Sequence, residues 1–296
     1  MIHTVSIPFW SSGNRLAGRL YRNTGDVDQR QPGVIVTGSW LTVKEQMQDV
    51  YARRLADLGY TAFTFDFTGF GESDGEPRQL EMPDRKIADL IAAADFLSTL
   101  SFVEPDTIAH LGVCASAQYG LAALARGSKA ARFVSVAGWF HDPASVAPFY
   151  GGAAGVNERL AIAARAIDRF TSSGDVDLVP AYKPGDPAAG MSFELDYYAN
   201  PSRGATPQWD NAMATMSWWY WLTYDGLRAA KHVTASTLFV HSDGCVFPDN
   251  LRSVYAEVRG PKRLAWLAGG QTDFYDQPAQ VEPAIAAVDA FLRESQ

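Results

Sequence analysis

The feature that most constrains this chain is a set of short, nearly continuous apolar runs separated by segments of helical period. The runs are GVIVTG at 33–38, TAFTFD at 61–66, TIAHLGV at 107–113, ARFVSVAG at 131–138, TLFVHSD at 237–243 and RLAWLAG at 263–269. A strand that is apolar on both faces must be covered on both faces, which suits a parallel sheet sandwiched by helices. The intervening segments supply those helices. Met47, Tyr51, Leu55 and Leu58 recur at helical spacing between Glu45 and Leu58, and Gly59 stops the run. Ile87–Leu100, a small-residue stretch through about Arg126, and Val281–Arg293 read the same way. Residues 3–9 and 15–22 read as two opening strands around a turn at 11–14.

The alternation breaks between Phe140 and Arg228, where aromatics, Pro and Gly dominate and only residues 157–170 read as a clear helix. The expected organisation is a core of residues 1–139 and 229–296, with 140–228 inserted as a cap over the C-terminal edge of the sheet. The 296 residues, 47% of them hydrophobic, suffice for one such core. A formal net charge of −8 argues against a nucleic-acid surface and against an anionic membrane. Two cysteines do not make a disulfide scaffold, no secretory leader or membrane span is visible, and cytoplasm is the expected location. A small-molecule substrate is the expected partner, and a homodimer is left open.

Gly112-Val113-Cys114-Ala115-Ser116 follows one apolar run directly and precedes a helix. That is the placement of a nucleophile elbow, G-x-S-x-G, with Cys in the nucleophile position and small residues where a tight strand-to-helix turn needs them. Free N–H groups at a helix start favour a thiolate there. A lone cysteine among apolar residues is also an ordinary core residue, and the surrounding motifs tip the reading toward catalysis. Asp243 leaves a late strand, where a triad acid belongs, although SDG is also a common turn. The histidine expected after the last strand is missing. Gln271 stands in that segment, and an amide takes no proton at neutral pH.

His141, directly after SVAGWF at 135–140, is a candidate surrogate base, with Asp273 a further candidate. His110 and His241 lie within strands and read as core. Ser39 and Trp40 follow the first parallel strand, so the N–H groups of Trp40 and Ala115 are the expected oxyanion donors. Ser39, Lys44 and Trp218 are candidate substrate contacts, Lys44 with an equally good reading as a surface partner of Glu45. Gly69–Ser73 opens no strand-helix nucleotide unit, and no HExxH or CxxC pair is present, so no cofactor and no metal are expected. Cys245 lies two residues past Asp243, which leaves a redox pairing with Cys114 as a minor reading.

The segments GSWLTVKEQMQDVYARRLADLGYTAFTFDFTGFGESDGEPR, LGVCAS, DYYANPSRGATPQWDN with MSW, and DFYDQP resemble the dienelactone-hydrolase-like and YcjY-like branch of the α/β-hydrolases, over nearly the whole chain. The resemblance implies a cofactor-free enzyme acting on ester, lactone or thioester bonds through a Cys-Asp-His triad. It implies Cys114 as nucleophile, Asp243 as acid, and Gln271 at a position where that family commonly has His. The expected function is a cysteine-dependent hydrolase or acyl-transfer enzyme for a small apolar or aromatic substrate. The alternative is a non-hydrolytic lyase, isomerase or ligand binder on the same fold.

Overall fold

In a computed structural model that describes residues 1–294, the apolar runs become strands of one sheet. In chain order the strands are β1 (His3–Ser11), β2 (Asn14–Arg22), β3 (Gln31–Thr37), β4 (Thr61–Phe65), β5 (Val103–Val113), β6 (Arg132–Val136), β7 (Leu178–Pro180), β8 (Ala212–Ala214), β9 (Ser236–His241) and β10 (Lys262–Trp266). Eight of them pair in the order β1-β2-β4-β3-β5-β6-β9-β10, while β7 and β8 form a small separate hairpin. β1 pairs antiparallel with β2, and β2 with β4; every other neighbour in the large sheet is parallel. This is the mostly parallel sheet expected from the alternation, in the α/β-hydrolase fold that the elbow and the resemblance imply.

Most strands read as continuous apolar runs are buried; β10, at the sheet edge, is the exception, with no buried position. β4 is buried at all five positions, and β3 and β9 at all but one. Helices Met47–Asp57, Pro83–Ser98, Ser116–Ala125, Pro248–Glu257 and Pro278–Leu292 cover the sheet. Three of these five begin with Pro, whose fixed φ suits the first helical turn and whose missing N–H costs nothing there. Those prolines move two starts earlier than apolar spacing alone suggested: 83 instead of 87, and 278 instead of 281. The helix Pro248–Glu257, which buries Leu251 and Val254, went unread in the sequence.

Register sets the site. Thr37 lies opposite Gly112, Gly112 opposite Ser135, and Val136 opposite Val240. The C-terminal ends of β3, β5, β6 and β9 are therefore level. From β3 the chain steps outward to β4, then returns to β5 on the other side. The reversal opens a crevice at the ends of β3 and β5, the usual ligand position in open α/β sheets. Residues 140–228 run between β6 and β9. They contain a 22-residue helix, Gly152–Ser173, longer than expected because its ends, GAAGV and TSS, carry no apolar period, and several short elements.

Candidate active site

The end of β5 turns so sharply that Cys114 takes φ +58°, in the left-handed region that a side chain with Cβ occupies at a cost. The turn is held on three sides. Cys114 N–H donates to Val136 O at 3.1 Å, Trp139 N–H donates to Cys114 O at 2.9 Å, and Ser116 N–H donates to Gly38 O at 3.3 Å. Gly112 is obligatory here, because a Cβ at that position would stand 2.8 Å from the Ala117 Cα and N. The strand and the helix Ser116–Ala125 thus meet at backbone contact, and the side chain between them is thrust toward the crevice.

Cys114 is 3% exposed, on the wall of a cavity of about 200 Å³. The rings of Trp40, Trp139, Phe149, Tyr150, Phe193 and Trp221 form most of that wall. No Asp, Glu, Lys, Arg or His lines it among the described residues. Ser39 Oγ–H donates to Cys114 Sγ at 3.3 Å, and Tyr198 Oη–H donates to Ser39 Oγ at 2.8 Å. The Tyr275 hydroxyl and the N–H groups of Trp40 and Ala115 also face the sulfur. Larger clefts beside Arg132 and beside Arg126, about 420 and 490 Å³, touch none of these residues.

Burial pushes the Cys114 thiol above its ordinary value, and the donors around it pull back only part of the way. The thiolate expected from the helix start is therefore outweighed by desolvation, and the resting group is a thiol. Whatever attacks from Cys114 must lose its proton during reaction.

Three expected partners stand elsewhere. The Asp243 side chain is 74% exposed, paired with Arg252 at 2.7 Å, and accepts from Trp266 Nε1 at 3.1 Å. Arg252 holds the Asp243 carboxyl below the usual range, but the carboxylate points away from the cavity. The reason is the tight turn after β9: Cys245 N–H closes onto Ser242 O, so Cys245 faces inward and Asp243 outward. The triad-acid reading of Asp243 is thereby corrected.

His141 is corrected as a base. It is fully buried; Trp139 Nε1–H donates to its Nδ1 at 2.8 Å, and its Nε2–H donates to Trp221 O at 2.9 Å. Its only lone pair is occupied, and burial pushes its pKa down to about 4. It supports the aromatic wall from behind, 4.4 Å from the Trp221 ring. Asp273 caps the turn, accepting from Gly270 N–H at 2.8 Å.

Gln271 does line the cavity, with every polar end engaged. Its Nε2 donates to Ala137 O at 2.7 Å and to Tyr275 Oη at 3.3 Å, while its Oε1 accepts from Val246 N–H at 3.1 Å. Lys44 is buried off the cavity, its ammonium paired with Asp66 at 2.8 Å, Glu45 at 3.0 Å and Glu72. It organises the loop after β3 and touches no substrate space. Trp218 backs the wall, 6.0 Å from Trp40 and 5.0 Å from Tyr150, and the neighbouring Trp221 takes the inner position. Ser39 remains on the cavity.

The residues that reading of the sequence missed are Tyr198 and Tyr275. Both lie in motifs noted for other reasons, DYYANPSRG and DFYDQP, and a phenol so placed carries no local signature of chemistry. His110 and His241 are buried in the sheet as expected, His110 with Thr37 Oγ1 at 2.8 Å. No group of three or more His, Cys, Asp or Glu among the described residues is arranged to hold a metal, and no helix among them is long and apolar enough to cross a membrane.

YcjY of Escherichia coli (strain K12) is 30% identical over 269 residues, covering 86% of this chain and 85% of YcjY. The chain belongs to the YcjY-like family of α/β-hydrolase-fold proteins. The crystal structure of hypothetical protein PA2218 from Pseudomonas aeruginosa superposes with a TM-score of 0.83, at 24% identity, over 98% of this chain and 94% of that one. A thiohydrolase from Eupenicillium brefeldianum is 23% identical over 253 residues, covering 82% of this chain and 79% of the relative. No protein-family model matches the chain. Within this YcjY-like chain, the elbow, the loop after β3 and the aromatic cavity are adjacent, while neither Asp243 nor His141 is on the cavity.

Proposed function

We propose that this YcjY-like chain is an acyl-bond enzyme, a hydrolase or acyltransferase, that carries an apolar or aromatic acyl group on Cys114. The observation that carries the reading is the strained Cys114 elbow, whose sulfur stands beside the Trp40 and Ala115 N–H groups at the wall of an aromatic cavity. The name of the thiohydrolase relative supports the same class of chemistry. Residues 140–228 act as the cap, contributing Phe149, Tyr150, Phe193 and Trp221 to the acyl pocket.

In the first step Cys114 Sγ bonds to the acyl carbon. The carbonyl electron pair moves onto oxygen, where the Trp40 and Ala115 N–H groups hold it. Collapse expels the leaving atom, which takes the thiol proton, so Cys–SH plus R–CO–XR′ gives Cys–S–CO–R plus HXR′. A thiolate leaving group needs least help, so thioesters are the favoured donors. Release requires water or another acceptor to attack without a histidine base, and this is the slow half of the cycle.

The test is intact-protein mass spectrometry after brief exposure to aryl esters, small lactones and simple acyl thioesters, beside Cys114→Ala. The expected result is an acyl mass on the native chain that is absent from the variant. An adduct that persists in Cys114→Ala, or turnover equal in the two, would reject the cysteine. The second reading, a non-hydrolytic enzyme or binder, draws on the absence of any Asp, Glu or His along the cavity among the described residues. Turnover of a cavity ligand that survives Cys114→Ala would favour it.

A further inference from the structure

The hydrogen bonds around Cys114 share one direction. Tyr198 Oη–H donates to Ser39 Oγ at 2.8 Å, which leaves the Ser39 proton to donate to Sγ at 3.3 Å. Gln271 Nε2–H donates to Tyr275 Oη at 3.3 Å, which leaves the Tyr275 proton for two nearby acceptors, the Cys114 sulfur and the Tyr198 oxygen. Gln271 is itself locked by Ala137 O at 2.7 Å and Val246 N–H at 3.1 Å, so its amide presents N–H, not C=O, to Tyr275. Ser39 is the donor in direct hydrogen-bond contact with the sulfur, and the Tyr275 hydroxyl and the Trp40 and Ala115 N–H groups lie close enough to favour its charged form. The titratable groups that face it are Tyr198, Tyr275 and Cys245. None of them is a carboxylate or a cation. The surroundings are complementary to negative charge at Sγ and hold nothing to receive its proton.

Both phenols are held by one side chain across the seam between the 140–228 segment and the core. Tyr198 lies in the short helix Asp196–Ala199 and Tyr275 in the short helix Asp273–Asp276. Arg203 grips the second helix with Nε at 2.9 Å and Nη2 at 2.6 Å from the two Asp276 carboxylate oxygens, and Nη2 also donates to Thr272 O at 3.1 Å. Its Nη1 reaches Asp196 at 3.0 Å on the first helix, and its guanidinium lies 5.5 Å from the Tyr197 ring centre. Gly204 follows directly, and a Cβ there would fall 2.1 Å from that same ring. Gln46 Nε2–H donates to Gly204 O at 2.6 Å, which ties the clamp to the loop after β3.

We propose that Ser39 and Tyr275 are catalytic donors to the Cys114 sulfur, directed by Tyr198 and Gln271, and that Arg203 is the positioning residue that keeps both phenols on it. Gln271 in this arrangement is not an empty base position; its amide sets which way the Tyr275 proton points. The donors stabilise the anion that must form when the thiol proton leaves, and so replace part of what a paired imidazolium supplies. Burial raises the thiol and the donors lower it, so removing a donor raises it further. The inference deepens the acyl-enzyme reading and rests on it for its catalytic meaning.

The test needs no acyl substrate. The rate of alkylation by iodoacetamide is measured against pH on the whole chain, with peptide masses separating Cys114 from Cys245. Ser39→Ala and Tyr275→Phe should each displace the rate–pH line of Cys114 upward by about one unit, read as a roughly tenfold slower rate at a fixed pH below the midpoint. Tyr198→Phe should give a smaller displacement, because it acts through Ser39. Arg203→Met should match Tyr275→Phe, and Arg203→Lys should recover only part, since an ammonium cannot make the two-pronged contact with Asp276. Lines for Ser39→Ala and Tyr275→Phe that overlie the native line would overturn the donor shell. A native line for Arg203→Met would overturn the clamp, and if that variant does not fold, Arg203→Lys decides the point in the same way. Displaced lines without acyl adduct on any ester or thioester would keep the shell and reject the acyl reading.

Discussion

The ends of β3 and β5 and the ends of β9 and β10 meet at one cavity, yet they are built differently. At β3 and β5 the backbone carries the geometry: a left-handed Cys114, a Gly112 that admits no Cβ, and two N–H groups turned to the sulfur. At β9 and β10 the same fold ordinarily relies on side chains, and here those have gone their own way. Asp243 turns out to Arg252, and an amide, Gln271, takes the inward place. The difference teaches that an elbow and its oxyanion donors are a property of the fold, whereas an acid–base pair is two replaceable side chains. On the proposed reading, the early half persists while the late half is rebuilt from phenols and an amide.

The strongest way to break this comparison is to remove the early half. Cys114→Ala should abolish the acyl adduct altogether, because nothing else on the cavity is a comparable nucleophile. Repairing the late half is the next largest effect. Gln271→His should speed release of a preformed acyl group, by about tenfold to a hundredfold, since a positioned base is worth roughly 10²–10⁴ and this one would lack its carboxylate. Decay of the acyl mass in a single-turnover chase reads it directly. An unchanged lifetime would mean that the imidazole cannot face the acyl carbon from residue 271, and that the two halves are further apart in function than in space.

A third effect belongs to the wall and not to the chemistry. His141 titrates at about 4 in the fold because burial penalises its charge, against about 6.5 in an unfolded chain. The unfolded chain therefore binds more protons between those values, so the stability that His141 contributes is whole above about pH 6.5 and is lost as pH falls through about 4. At pH 5 the loss is about 2 kcal/mol from this residue. His110, pushed down to about 3, and His241, to about 4, act with the same sign. Urea unfolding at pH 7 and pH 5 should show the native chain weakening toward acid and His141→Phe weakening less. An identical pH dependence for the two proteins would mean that His141 is not held neutral, and would reopen it as a base.

Much of the fold was legible because burial on both faces writes itself as continuous apolar runs, as in β3 and β4. The elbow was legible for a related reason: only small residues fit where β5 meets its helix. Residues 140–228 were not, because their short elements are fixed by single contacts such as Trp209 Nε1 to Leu41 O at 2.7 Å, which leave no period in the sequence. The partners of Cys114 failed for a different reason. Asp243 and Cys245 are two residues apart in one turn, and sequence position cannot say which faces the cavity. His141 overhangs the right strand end, but its ring is spent on Trp139 and Trp221. Tyr198 and Tyr275 are 77 positions apart and are brought together in the fold, where Arg203 bridges their two helices.

The smallest expected effect is also the sharpest test of how the two ends differ. If Asp243 were the acid of a working triad, Asp243→Asn should cripple the enzyme, since in such a triad the acid fixes the base and stabilises its charged form. The geometry gives Asp243 a different task, an exposed pair with Arg252 and the Trp266 indole, and pairs of that kind contribute little to stability. Asp243→Asn should leave acylation and release rates within about twofold of native, well below the tenfold that 1.4 kcal/mol would produce. Arg252→Gln should behave alike, because each variant removes one side of the same surface pair. A large loss of acylation in Asp243→Asn alone would show that the turn after β9 rearranges when substrate enters, carrying the carboxylate inward. The late half of the site would then be an intact acid held in reserve, not a replacement built from Gln271 and two phenols.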